Sequence, residues 1–209
     1  MNSAPRVFLV DDQPEILKAL GRLLRAAGFE VDGYLSAPAF LDSGNADAAG
    51  CLVLDLSMPG MNGLDLLHAL RQRPSLLPAI FLTGQGDLDA GIRAMKLGAA
   101  DFLTKPVDGE RLIAAIEQAF AHNRRARGAA QERRGIQQRL DSLTPREREV
   151  MALLVEGLLN KQIGAELGMV EKTVKVHRAR IMQKMQVRSL TALVRLVDRA
   201  QAADAADPA

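Results

Sequence analysis

Residues 51–63 read CLVLDLSMPGMNG. The apolar run Cys51–Leu54 stops abruptly at a carboxylate, Asp55, and two turn signals follow, Pro59-Gly60 and Asn62-Gly63. An unbroken apolar run of this length suits a parallel strand buried on both faces. Similar runs lie on either side: Val7–Val10 and Val31–Tyr34 before it, Ala79–Leu82 and Ala100–Leu103 after it. The stretches between them have helical period. Ile16, Leu20, Leu23, Leu24 and Ala27 share one face, as do Leu64, Leu67 and Leu70, and Leu112, Ile116 and Phe120. Strand and helix alternating five times predict a doubly wound α/β domain over residues 1–121.

The polar residues fall on this frame in a pattern. Asp11 and Asp12 follow the first apolar run, Asp55 the third, Thr83 the fourth and Lys105 the fifth. All five belong at the carboxyl ends of parallel strands, where open α/β sheets build their sites. Three converging carboxylates repel one another and raise one another's pKa. A divalent cation with oxygen ligands relieves the repulsion, and Mg²⁺ (or Mn²⁺) held by Asp11, Asp12 and Asp55 fits that need. An aspartate carboxylate can also accept a phosphoryl group as an acyl phosphate. Asp55 is the candidate nucleophile, Lys105 would neutralise charge on the transferred oxygens, and the Thr83 hydroxyl would bond one of them.

After residue 121 the pattern changes. Residues 122–141, HNRRARGAAQERRGIQQRLD, are Arg-rich with few apolar anchors and two glycines, and read as an exposed linker, helical in part. Residues 142–200 carry only helix patterns. Thr144-Pro145-Arg146-Glu147 is a capping-box start. Val150, Leu153 and Leu154 face inward on the first helix. Asn160 is placed to cap a second, carrying Ile163 and Leu167 and stopped by Gly168. A third runs from Glu171 to Met185, and a fourth begins near Ser189, burying Leu190, Leu193, Val194 and Val197. Residues 201–209, QAADAADPA, read as a disordered tail.

Composition narrows the function. Apolar residues make up 48% of the chain, enough for ordinary cores. Aromatics make up 3%, which argues against a base-stacking surface for single strands. The net charge of +2 splits into −5 over residues 1–121 and +7 over 122–209. That division suits an acidic metal-binding half joined to a nucleic-acid-binding half. The single cysteine, Cys51, reads as a buried thiol. With no signal peptide and no apolar stretch of spanning length, the expectation is a soluble cytoplasmic protein that does not engage membrane.

The set VDD, LDLSMPGMNG, LTG and FLTKP over residues 6–121 closely resembles the receiver domain of bacterial two-component response regulators. The resemblance implies a flavodoxin-like sheet of five parallel strands in the order 2-1-3-4-5. It implies that Asp55 takes phosphate from a histidine of a sensor histidine kinase, and that Ser57 lends its backbone carbonyl to the metal. It also implies that Thr83 and Phe102 act as the switch pair and that Lys105-Pro106 is a pair often joined by a cis bond. Gln13 departs from the acidic residue frequent in relatives. Ser57 and Gln85, two residues beyond Asp55 and Thr83, occupy positions that modulate the lifetime of the phosphoryl group.

The stretch LTPREREVMALLVEGLLNKQIGAELGMVEKTVKVHRARIMQKM, residues 143–185, resembles a LuxR-type helix-turn-helix. On its third helix Lys172, Lys175, Val176, Ala179 and Gln183 share a face suited to the major groove. Lys175 can donate to guanine, and Val176 and Ala179 can contact a thymine methyl. Lys161, Thr173, Arg178 and Arg180 suit phosphates, and His177 suits packing. Three departures stand out. Val170 replaces the usual Ser or Thr cap of the reading helix, Gly164 replaces a common alanine, and Leu159 replaces a small polar residue.

Together the two halves resemble the FixJ and NarL group. The expectation is a phosphorylation-gated transcription regulator and not an enzyme. It dimerises through the face of the fourth helix, fifth strand and fifth helix and binds double-stranded promoter DNA at paired half-sites, with RNA polymerase a candidate partner and Leu196 a candidate second dimer contact. An aspartate phosphohydrolase would place nucleophile and acid in one D-x-D element, whereas Asp11 and Asp12 are adjacent. A ligand-gated quorum-sensing regulator would need an aromatic-lined pocket. A receiver working without phosphate is disfavoured by the complete acidic set.

Overall fold

The computed structural model describes residues 5–73, 75–84 and 88–205, with side chains described except at 88–90 and 201–205. They form two compact units that divide between Arg127 and Gly128.

In the first unit five parallel strands, β1 (Arg6–Val10), β2 (Glu30–Tyr34), β3 (Cys51–Asp55), β4 (Ala79–Thr83) and β5 (Asp101–Thr104), pair in the order β2-β1-β3-β4-β5. Between them run α1 (Pro14–Ala26), α2 (Ala37–Asp42), α3 (Gly63–Arg71) and α4 (Leu88–Lys96), and α5 (Gly109–Asp141) follows. Alternate residues of the central strands serve opposite faces. Phe8, Val10, Leu52, Leu54 and Phe81 pack with Phe40 of α2, Leu66, Leu67 and Leu70 of α3, and Ala94 of α4. Val7, Leu9, Val53, Ile80, Leu82 and Leu103 pack with Leu24 of α1 and Leu112 and Ile116 of α5. Cys51 lies in this second core, fully buried, and burial pushes its thiol pKa up. The expected strand order and five-strand parallel sheet are observed. Asp55 and Thr83 close their strands rather than following them, and the fifth strand starts one residue later than its apolar run. On α1, Ala27 lies past the helix end and is exposed.

The stretch read as a partly helical linker is helical throughout. The glycines do not break it, because each half of the extension gains tertiary partners. In the first unit Asn123, 3% exposed, donates to the Leu76 carbonyl. The Arg127 guanidinium donates to Asn123 Oδ1 at 3.1 Å, to the Asp47 carbonyl at 2.8 Å and to the Ala48 carbonyl. In the second unit Ile136 is buried, Leu140 packs on the helical core, and Glu132 pairs with Arg199 at 3.0 Å.

The second unit holds α6 (Pro145–Val155), α7 (Asn160–Leu167), α8 (Glu171–Lys184) and α9 (Leu190–Ala205) around Val150, Leu154, Ile163, Val174, Ile181, Met185, Leu193 and Val197. Thr144 and Glu147 form the expected reciprocal cap. Gly168 ends α7 in the left-handed conformation, φ 64°, that glycine adopts without strain. Three expectations are corrected. Asn160 is the first residue of α7 and not its cap. The cap position is Leu159, whose backbone N–H bonds Gln162 Oε1 at 2.8 Å. Val194 lies outside the core, while Leu196 packs against it, so Leu196 is not a freely exposed contact. The last helix runs to Ala205, past the Gln201 at which a disordered tail is expected.

Candidate acidic pocket and nucleic-acid interface

Asp55 is the last residue of β3, held between β1 and β4, and its carboxylate reaches the carboxyl edge of the sheet. Beyond it the loop 56–62 brings the chain back so that α3 starts against the end of the strand. Gly63 makes that possible. A Cβ at this position would stand 2.5 Å from the Asp55 carbonyl oxygen and 2.9 Å from the Phe81 ring. The first turn of α3 therefore packs on the backbone of Asp55 itself, tied by the Gly63 N–H to Leu56 oxygen at 3.0 Å. Asn62-Gly63 reads in sequence as a turn signal alone; that the turn folds onto the nucleophile's own backbone is a tertiary fact with no sequence signal.

The candidate residues converge. One carboxylate oxygen from each of Asp11, Asp12 and Asp55 lies within 4.8 Å of the others. Lys105 Nζ bridges two of them, 2.9 Å from Asp11 Oδ2 and 3.0 Å from Asp55 Oδ1. The Asp11 Oδ1 atom accepts from the Gln13 N–H at 2.9 Å, which fixes that side chain. Asp12 Oδ1 is buried without a hydrogen-bond partner. A buried carboxylate oxygen left unpaired is costly in a protein interior, and a divalent cation among three carboxylates removes the cost. The donor set thus fits a hard, oxygen-loving ion.

Burial raises the pKa of Asp55, and the hydrogen bond and charge of Lys105 only partly offset it. For Lys105 burial acts to lower the pKa, but its bonds to Asp11 and Asp55 outweigh that and hold it up. Thr83 is 2% exposed at the end of β4, and its carbonyl receives the Lys105 N–H at 2.7 Å. Ser57 is exposed on the loop after β3. The Lys105-Pro106 bond is cis. Phe102 is half-buried and lies against α4, where a Cβ on Gly91 would come within 3.0 Å of its ring. Gln85 falls outside the described residues.

In the second unit α7, a turn at Gly168, and α8 make a helix-turn-helix. Lys172, Lys175, Val176, Ala179 and Gln183 lie on α8 away from buried Val174 and Ile181; Lys172, Lys175 and Val176 are exposed there. Lys175 pairs with Glu171 at 2.9 Å along the helix surface, an exposed contact that DNA can displace. Lys161 and Arg180 are exposed and Thr173 is half-buried. Arg178 is half-buried, with Asn160 Oδ1 at 3.5 Å, so it is less open to phosphates than Arg180. His177 is half-buried, its Nδ1 without a partner. Val170 starts α8 with no side-chain cap, as its identity requires.

Two family models match the chain: the response regulator receiver domain over residues 7–117, and the luxR family of bacterial regulatory proteins over residues 141–197. The chain therefore belongs to the response regulators that join a receiver to a LuxR-type DNA-binding domain. It is similar to the transcriptional regulatory protein FixJ of Bradyrhizobium diazoefficiens, 41% identical over 96% of this chain and 98% of that one. It is also similar to the response regulator protein TodT of Pseudomonas putida, 40% identical over 92% of this chain and 85% of the other. Among solved structures, the response regulator StyR matches with a TM-score of 0.89 at 46% identity, covering 94% of this chain and all of that one. Full-length FixJ from B. japonicum matches at 0.59 and 40% identity, covering 95% and 98%. The protein is a two-component response regulator that acts in transcription regulation, and its receiver implies a sensor kinase as partner. No described helix is long and apolar enough to cross a membrane.

Proposed function

We propose that Asp55 is the phosphoacceptor and that its modification gates DNA binding by α8. The observation that carries this reading is the Lys105 ammonium set between Asp11 and Asp55, beside the orphaned Asp12 oxygen. In the transfer, an Asp55 carboxylate oxygen forms a bond to phosphorus as the bond from phosphorus to the kinase's histidine nitrogen breaks. The leaving imidazole takes up a proton from water. Lys105 is placed to follow the incoming charge, and the Thr83 hydroxyl to donate to a phosphoryl oxygen. Asp11, Asp12 and Asp55, with the Ser57 backbone carbonyl, would hold Mg²⁺ or Mn²⁺, which supplies positive charge to the phosphoryl oxygens. The reaction is self-modification, and the chain turns over no other substrate.

Occupancy at Thr83 would draw Phe102 inward and reshape the face of α4, β5 and α5, where Ile92 and Met95 are 45% and 43% exposed. A homodimer formed there in the cytoplasm would set two readers on half-sites about one helical turn apart. In each reader Lys172, Lys175, Val176 and Ala179 would lie on the face entering the groove, with Lys175, Val176 and Ala179 meeting base edges, while Lys161, Thr173, Arg178 and Arg180 would meet phosphates. RNA polymerase is the candidate partner at the promoter.

The test is phosphorylation of wild type and Asp55→Ala by a small acyl-phosphate donor with Mg²⁺. Wild type should incorporate phosphate and the variant none. Equal incorporation would remove Asp55 from its role. Genomic-fragment capture with and without beryllofluoride then reads the gate: fragments enriched equally in both would show that DNA binding is not controlled from Asp55.

A further inference from the structure

Lys184 is the last residue of the reading helix α8, a place where a lysine would ordinarily be assigned to DNA phosphate. Its side chain instead turns back into the unit and is 34% exposed. Nζ lies 2.6 Å from Glu147 Oε2 and 2.8 Å from the Ser142 carbonyl oxygen. Glu147 is 2% exposed, and the same Oε2 accepts the Thr144 backbone N–H at 2.9 Å. One buried carboxylate oxygen thus closes the N-terminus of α6 and anchors the C-terminus of α8.

Among the described residues most of what else holds α8 is apolar, Val174, Ile181 and Met185, all fully buried, beside one longer bond from Arg178 to Asn160 Oδ1 at 3.5 Å. Apolar contacts are strong but non-directional, and they resist rotation of a helix about its own axis weakly. Base reading tolerates little rotation, because functional side chains must sit within about 0.5 Å and 10–20° of the productive geometry. A charge-assisted hydrogen bond is short and directional, and it sits at the helix end where a lysine also suits the dipole. We propose that Lys184, through Glu147, is a positioning residue that sets the rotation of α8 and so governs sequence discrimination without touching DNA. Resting on the DNA-binding reading, this assigns the lysine to specificity rather than affinity.

The experiment uses the full chain with beryllofluoride and Mg²⁺ present throughout, and a duplex selected from a random library by the wild type in that state, with a scrambled duplex of equal length as reference. Lys184→Met should weaken binding to the selected duplex about tenfold, the order of one lost base contact. Binding to the scrambled duplex should not change, nor should the slope of log affinity against log salt. Glu147→Gln, which keeps the shape and the shared acceptor oxygen but removes its charge, should lower discrimination in the same direction by a smaller factor, and Lys184→Arg should retain most discrimination. A phosphate contact predicts otherwise: the salt slope would fall by about 0.9 and both duplexes would lose affinity together. Simple destabilisation would also lower both in proportion. Either result, or unchanged discrimination in both variants, overturns the proposal. If Lys184→Met does not fold, Glu147→Gln and Lys184→Arg carry the same comparison. A wild type that selects no duplex would refute the DNA-binding reading instead.

Discussion

Three glycines within helices of this chain should respond to the same substitution with opposite signs. Gly164 lies in the middle of α7, where a Cβ would stand 2.6 Å from the Met169 carbonyl oxygen. Ordinary contact begins at 3.4 Å, so the turn between α7 and α8 would have to retreat by about 0.8 Å. Backbone obstructs the way, not a side-chain tip that could swing aside. The retreat would also stretch the bond from the Met169 N–H to the Gly164 carbonyl, now 2.8 Å. Alanine in a helix interior gains about 0.8–1 kcal/mol over glycine. Overpacking costs about 1–3 kcal/mol and a weakened hydrogen bond about 1. Gly164→Ala should therefore destabilise the second unit by about 1–3 kcal/mol. Gly128 and Gly135 lie in α5, where a Cβ would meet nothing nearer than 4.0 Å, so alanine there should stabilise by the full propensity term of about 0.8–1 kcal/mol. Urea unfolding followed by far-ultraviolet circular dichroism gives the net change, and amide exchange over residues 160–184 assigns it to the reader. If Gly164→Ala proves as stabilising as Gly128→Ala, the close approach of turn and helix is not required and the reasoning fails.

Asp55→Asn should stabilise the first unit at neutral pH without divalent ions. Burial holds the Asp55 pKa above its ordinary value, so the folded state binds a proton more readily than the unfolded one and loses stability as pH rises through the folded pKa. The gain of the asparagine variant should shrink as pH falls toward the ordinary carboxylate range, and thermal melts across pH 3–8 would show it; a gain independent of pH would rule out the electrostatic cause. Arg127→Ala removes three hydrogen bonds, two of them to the carbonyls before β3, and should cost about 1–3 kcal/mol. The loss should appear as faster amide exchange confined to α5 near residues 120–127, and unchanged exchange there would show that the clasp is idle.

Legibility followed the range of the forces involved. The strands were readable because burial on both faces leaves an unbroken apolar run, as at Cys51–Leu54. The pocket was readable because each of its side chains stands where such a run stops. The departures arise where tertiary partners outweigh local preference. Gly128 and Gly135 lower helix propensity in α5, yet Asn123 and Arg127 on one side and Ile136 on the other supply contacts that no local pattern announces. Arg127 binds main-chain carbonyls, and a carbonyl has no sequence signature. Lys184 and Arg178 look alike as cations of a basic helix; only the fold shows that one faces a buried carboxylate. On α9 the choice between Val194 and Leu196 turns on a helical phase that periodicity over so short a segment does not fix.

The chain's sole thiol has a practical consequence. Cys51 is sealed in β3 at the centre of the sheet, and its raised pKa keeps the reactive thiolate scarce. An alkylating reagent can reach it only when the strands around it part. The rate of labelling is then a clock for opening of the receiver, read by mass on the unaltered protein. The same inertness leaves the native sequence silent to thiol chemistry, so a cysteine placed on the surface can carry a probe without first removing the original.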